Sequence, residues 1–158
     1  MTHTLTLVPV ACLKAHEETV VQRTDTIVDE LRDEPIFRYP VIVDKHTYVI
    51  LDGHHRYEAF LKLGLKEIPC LLVDYFSDTI ELRSRRQGVS VTKDEVIQRA
   101  LRRELFPPKT TQHIFAAWQP LTCEVPLSLG QGYGSQADLA WQGPRSAPCV
   151  HANEGGYG

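Results

Sequence analysis

No apolar run in this 158-residue chain reaches the ~18 residues that a bilayer-spanning helix needs. Its first residues, Met1-Thr2-His3-Thr4-Leu5, have neither the basic start nor the apolar core of a secretory leader. Together these absences predict a cytoplasmic protein with no membrane partner. Positive charge is not in excess either: the net charge is −3 and the pI about 6.1. Bulk binding of nucleic acid draws on a basic excess, so nucleic acid is not an expected partner. The four cysteines, Cys12, Cys70, Cys123 and Cys149, include no Cys-x-x-Cys pair. In a cytoplasmic chain they are expected as reduced thiols, not as a disulfide frame. There is no internal repeat.

What is present suffices for one domain with a real core, since 42% of the residues are hydrophobic. Residues 4–11 alternate Thr with Leu and then add Val, which predicts a first strand. Val20, Val21, Thr24, Ile27, Val28 and Leu31 recur at helical spacing, so a helix is expected over 19–33, with Thr19 as its cap. Pro35 ends it. The runs 39–43 and 48–51 flank a polar turn and predict a β-hairpin. A helix over 54–63 follows, closed by Gly64. Residues 68–73 are nearly all apolar and predict a central strand. Residues 79–91 read as a strand, a basic turn and an extended link. Thr92-Lys93-Asp94-Glu95 is a capping box that opens a helix to about Arg103. Phe106-Pro107-Pro108 ends it, and 109–113 is a polar run. From Gly130 onward, 29 residues hold seven of the ten Gly and only three charges. That composition predicts a disordered tail at 130–158 behind a domain at 1–129.

Three polar stretches carry candidate chemistry. Val49 to Leu51 stops at Asp52-Gly53, and a helix begins at once with His54-His55-Arg56. Such a turn aims backbone N–H groups at one point and suits a phosphate, with Asp52 facing a Mg²⁺ ion. The plainer alternative is a tight turn with Asp52 as cap. His16-Glu17-Glu18 offers a general base near that turn, or merely acidic residues that suit a helix dipole. Lys109-Thr110-Thr111-Gln112-His113 offers an ammonium, hydroxyls and an imidazole for an anion, or an exposed polar loop. Between Glu81 and Glu104 lie seven Arg or Lys against four acids. This is a nucleotide face or the solvated side of a helix. No aromatics interleave it to stack on single strands.

In this order the motifs resemble the ParB/sulfiredoxin-like superfamily, and within it the free L-serine kinases and siderophore-cluster serine kinases. The resemblance rests on His16-Glu17, on Ile50 to Arg56, on Val73 to Asp78, and on Phe106 to Thr111 with His113; it covers about residues 5–129. It implies an α+β fold, a small mixed sheet packed with helices. It implies a kinase that transfers a phosphoryl group from ATP or ADP to the hydroxyl of free L-serine, with Mg²⁺. By the same resemblance Glu17 is the general base, and Asp52 lies near metal and substrate. Gly53, His54, His55 and Arg56 form the nucleotide-phosphate loop. Lys109, Thr110, Thr111 and His113 bind phosphate or the serine. Two departures stand out: Gln112 replaces the Arg usual in that run, and Arg83 to Val91 is short and free of aromatics. The alternative is a ParB-like nucleotide- or DNA-binding regulator without turnover. Oligomeric state is left open.

Overall fold

A computed structural model describes residues 5–116, 122–129, 138–139, 141 and 143–146. The chain runs β1 (Leu5–Pro9), α1 (Val21–Asp33), β2 (Ile36–Phe37), β3 (Val41–Asp44), β4 (Ile50–Asp52), α2 (His54–Leu63) and β5 (Glu67–Val73). It continues through β6 (Ile80–Ser84), α3 (Lys93–Arg102), β7 (Thr111–Phe115), β8 (Val125–Ser128) and β9 (Asp138–Leu139). A mixed four-stranded sheet in the order β1-β5-β3-β4 forms the centre. Its β1–β5 and β3–β4 pairs are antiparallel, and β3–β5 is parallel.

The expected central strand is therefore β5, and its composition follows from its position. Ile68 and Cys70 join a cluster with Leu7, Leu31, Val41, Val43, Ile50 and Phe60. Leu71 and Val73 join a second cluster with Ile42, Val49, Leu51, Val96, Ile97, Ala100 and Phe106. Alternate residues of one strand feed two cores, one roofed by α1 and α2 and the other by α3. A strand covered on both faces has no polar side, so it reads as a continuous apolar run.

The expected hairpin is β3–β4. Its turn is tied by the buried Asp44, whose Oδ2 accepts from the Thr47 amide (3.0 Å) and hydroxyl (2.7 Å) and whose Oδ1 accepts from the Tyr75 amide (3.2 Å). Gly64 closes α2 in the left-handed region (φ 74°). Thr92 caps α3, accepting from the Glu95 amide at 3.1 Å.

Four features correct the expectations. The N-cap of α1 is Val20, not Thr19, and no side chain caps it. A 3-10 turn at Val10–Cys12 and the two-residue β2 carry too little periodicity to be read beforehand. The polar run 109–113 is not a loop throughout: from Thr111 it is β7, paired antiparallel with β6. Cys12 is disulfide-bonded, whereas Cys70 and Cys123 are free. The expected disordered tail falls mostly outside the described residues. Within it, β9 pairs with β8, the Leu7 amide donates to Pro144 O (2.9 Å), and the Ser146 amide donates to Leu7 O (2.9 Å). Among the described residues no helix is long and apolar enough to cross a membrane.

Candidate active site

The segment between β1 and α1 places Glu17. It runs beside β4, with the Lys14 amide on Tyr48 O (2.9 Å) and the Ile50 amide on Lys14 O (2.8 Å). It then meets the chain after α3: the Phe106 amide donates to His16 O and the Glu18 amide to Phe106 O, both at 2.8 Å. The start of α2 clamps the same segment. His54 Nε2 accepts from the His16 amide (3.1 Å), and His55 Nε2 accepts from the Val20 amide (3.0 Å).

Pro107-Pro108 delivers the chain to Lys109, which sits at φ 59°. A left-handed residue here turns consecutive amides toward one point, as in an anion-binding nest. Glu17 fills that nest. Its Oε1 accepts from the Thr110 amide (3.2 Å), the Thr111 amide (2.8 Å) and the Thr111 hydroxyl (2.7 Å). Its Oε2 accepts from the Lys109 amide alone (3.1 Å). Two motifs 92 residues apart are thus joined directly.

Glu17, Asp52, Gly53, His54, His55, Arg56, Lys109, Thr111 and His113 line one cleft of about 990 Å³. Thr110 is different. It is buried, and its hydroxyl donates to Pro107 O (2.7 Å) and accepts from Arg86 Nε (3.1 Å). Its contribution to the site is its amide.

The charges in the cleft differ from a reading of its histidines as cations. Burial holds the His54 pKa well below the ordinary 6.5, and neighbouring His16, His113, His55 and Arg56 lower it further. Burial lowers His55 as well, with Arg23 adding to it, Glu17 opposing, and Arg56 and Lys109 lowering it again. His113 is pushed down to about 3 by burial; its Nε2 meets the Tyr75 hydroxyl at 2.8 Å, and it also bonds the Leu51 backbone. At neutral pH these rings are uncharged. His54 and His55, with Nε2 accepting, keep Nδ1–H as a donor.

Arg56 is committed elsewhere. It donates to Tyr39 O (2.6 Å), Pro40 O (2.9 Å) and Asp52 Oδ2 (2.9 Å). The positive charge falls instead to Arg23 and Lys109, both of which act on His55, and to Arg85, which also lines the cleft. Sequence reasoning gave no role to Arg23, which sits in no recognisable pattern, and none to Tyr75, which lies in the Val73 to Asp78 motif but meets His113 only in the fold.

Arg85 bears on the Gln112 departure. In the β6–β7 ladder Arg83 lies opposite Gln112, and the Arg85 amide reaches Thr110 O (2.8 Å). As a ladder pair Arg83 and Gln112 share one face, and Arg85 follows just past the end of β6. Arg83 is paired with Glu81 at 2.8 Å, and Arg85 faces the cleft.

Gly53 makes the turn possible. It sits at φ 110°, and an added Cβ would lie 3.1 Å from Val41 Cγ2 and 3.1 Å from the Arg56 guanidinium. No side chain caps α2, so its first amides lack a partner within the helix, at a turn whose residues Gly53 to Arg56 line the cleft. Among the described residues no cluster of three or more His, Cys, Asp or Glu could hold a metal. Asp52, exposed and with Oδ2 on Arg56, suits a cation that arrives on phosphates and needs one protein carboxylate. It does not suit a metal caged by protein alone.

No family model matches the chain. An ATP-dependent L-serine kinase of Desulfurococcus mucosus is 37% identical over 103 residues, 63% of this chain and 40% of that protein. A ParB-like protein of Sulfolobus acidocaldarius is 44% identical over 71 residues, 45% of this chain and 35% of that protein. The match thus spans well under half the length of these curated relatives. Among solved structures, a free serine kinase variant in complex with ADP superposes with a TM-score of 0.70 at 17% identity, over 77% of this chain and 92% of that one. At that identity the likeness is one of fold. In sequence the chain is thus similar to part of an L-serine kinase and of a ParB-like protein, and in fold to a free serine kinase.

Proposed function

We propose that the chain transfers the terminal phosphoryl group of ATP or ADP to the hydroxyl of free L-serine, giving O-phosphoserine. The observation that carries this reading is the convergence in one cleft of a held carboxylate, Glu17, with an uncapped helix N-terminus flanked by Arg23 and Lys109. Phosphoryl transfer needs placement and charge neutralisation more than covalent help, and those parts supply both.

The donor's phosphates lie against the start of α2, where the amides and the Nδ1–H groups of His54 and His55 donate. Arg23 and Lys109 neutralise them. Asp52 would hold a Mg²⁺ ion carried on the phosphates, which would offset their charge. Serine lies toward Thr111 and His113, and Arg85 supplies the guanidinium that position 112 lacks, for its carboxylate or the transferred phosphate. The serine oxygen attacks phosphorus as the bond to the leaving phosphate breaks. Its proton goes to Glu17. Of the two carboxylate oxygens Oε2 is the receiving atom, because Oε1 already has three donors and Oε2 one. The test is direct: purified protein with Mg²⁺, serine and either ATP or ADP is expected to form O-phosphoserine. No O-phosphoserine with either donor would refute the proposal, and threonine and homoserine run beside serine bound the acceptor.

A further inference from the structure

His16 is fully buried between the two halves of the site, and the reaction as written does not use it. Its hydrogen bonds allow a proton count. Nδ1 lies 2.7 Å from Ile50 O. A carbonyl only accepts, so Nδ1 carries the proton. Burial pushes the His16 pKa down to about 4, against Glu17 and the Ile50 bond, so the ring is neutral and Nε2 is a bare lone pair. That lone pair faces Thr111 Oγ1 at 3.0 Å. The same hydroxyl lies 2.7 Å from Glu17 Oε1. Thr111 has one proton and two acceptors.

While Glu17 is ionised its charge holds the hydroxyl, since hydrogen bonds to a charged partner are the stronger ones. Once Glu17 is protonated on Oε2, Oε1 becomes a neutral carbonyl oxygen that still has two amide donors. The hydroxyl then turns to Nε2. We propose that His16 is a positioning residue of the general base, offering the Thr111 hydroxyl a second acceptor that is taken up when Glu17 receives the substrate proton. The step breaks the serine O–H bond, forms the Glu17 O–H bond and moves one Thr111 hydrogen bond; His16 gains no proton. By competing for that hydroxyl, His16 weakens its hold on the ionised carboxylate and makes proton uptake easier. The other titratable groups facing the ring are Glu17, His54 (centroids 4.5 Å apart, edge-on) and His113 (5.7 Å), and both histidines are held neutral.

The assignment rests on the kinase reading, and the experiment separates the two. His16→Asn places a side-chain N–H toward Ile50 O but does not reach Thr111. His16→Gln reaches Thr111 with a carbonyl oxygen. The Asn variant is expected to lose roughly 10-fold in kcat, the scale of one hydrogen bond to a reacting charge, with KM for serine and nucleotide unchanged. His16 lies outside the cleft lining, so a binding effect is not expected. The Gln variant recovers most of the loss. Nitrogen NMR of the wild type at neutral pH shows His16 neutral with the proton on Nδ1. A proton on Nε2, or an active wild type with an unchanged Asn variant, overturns this assignment alone. A wild type that makes no O-phosphoserine overturns the kinase reading and this assignment with it. If the Asn variant does not fold, the Gln variant and the tautomer decide: an inactive but folded Gln variant, or the wrong tautomer, refutes.

Discussion

Arg56 separates two readings of the turn after β4. If it grips phosphate, removing it weakens nucleotide binding; if it holds the scaffold, removing it weakens the fold. The geometry favours the scaffold. Its side chain is 19% exposed against 55% for its partner Asp52, and three of its donors are used. Tyr39 and Asp52 are open to water, which replaces those two bonds at small cost, about 0.5 kcal/mol each. Pro40 is buried, and its orphaned carbonyl costs about 1–2 kcal/mol. Arg56→Ala is therefore expected to lose about 2–3 kcal/mol. For a chain of this size that lowers Tm by roughly 5–10 °C. Arg56→Lys recovers little, because one ammonium cannot span a carboxylate and two carbonyls. Thermal unfolding by circular dichroism gives the first quantity. Calorimetric titration with ATP and ADP in the cold, where the variant is folded, gives the second and is expected to change less than ~3-fold, within the uncertainty of an indirect contact. An unchanged Tm with a tenfold or greater loss of nucleotide affinity would refute the scaffold reading.

Glu17→Gln is expected to abolish turnover, by roughly 10²–10⁴-fold, while nucleotide binding survives in the same titration. Wild-type rates in that variant would remove Glu17 as the base. Arg23→Ala and Lys109→Ala are each expected to raise the donor KM several-fold, less so at high salt, as screened charges require; no change in either would locate the phosphates elsewhere. Gly53→Ala forces a Cβ into the left-handed region against Val41 and is expected to cost about 1–3 kcal/mol, read as a lower urea midpoint. Acid should destabilise the protein early. His16 and His113 have folded pKa values of about 4 and about 3, below the 6.5 of an unfolded histidine. Between 6.5 and those values the unfolded chain binds protons that the folded one refuses, so stability falls as pH falls through that window. Urea midpoints that stay flat from pH 7 to about 4.5 would contradict the buried neutral rings.

The parts of the fold legible beforehand were those whose cause is local. The two-sided burial of β5 shows as an unbroken apolar run, the α3 cap as Thr92 and Glu95, and the α2 boundaries as Gly53 and Gly64. What escaped depends on a partner far along the chain. α1 opens at Val20 without a capping side chain, and His55, from another element, accepts the Val20 amide. Lys109 to His113 read as a polar loop because β6, its pairing strand, lies some thirty residues earlier and has its own charged face. The same non-locality explains the site. His54, His55 and Arg56 beside a Gly turn suggest a loop that neutralises a phosphate, or a plain tight turn, and residue type alone does not choose between them. Tertiary contacts reassign them: two rings lose their charge to burial and to backbone amides, and the guanidinium is spent on Asp52 and two carbonyls. An anion does sit in the Lys109–Thr111 nest, as the composition of that run suggested, but it is the carboxylate of Glu17. With that cradle filled by Glu17, the positive charge lining the rest of the cleft includes Arg23, Lys109 and Arg85, of which Arg23 lies in no motif legible in the sequence.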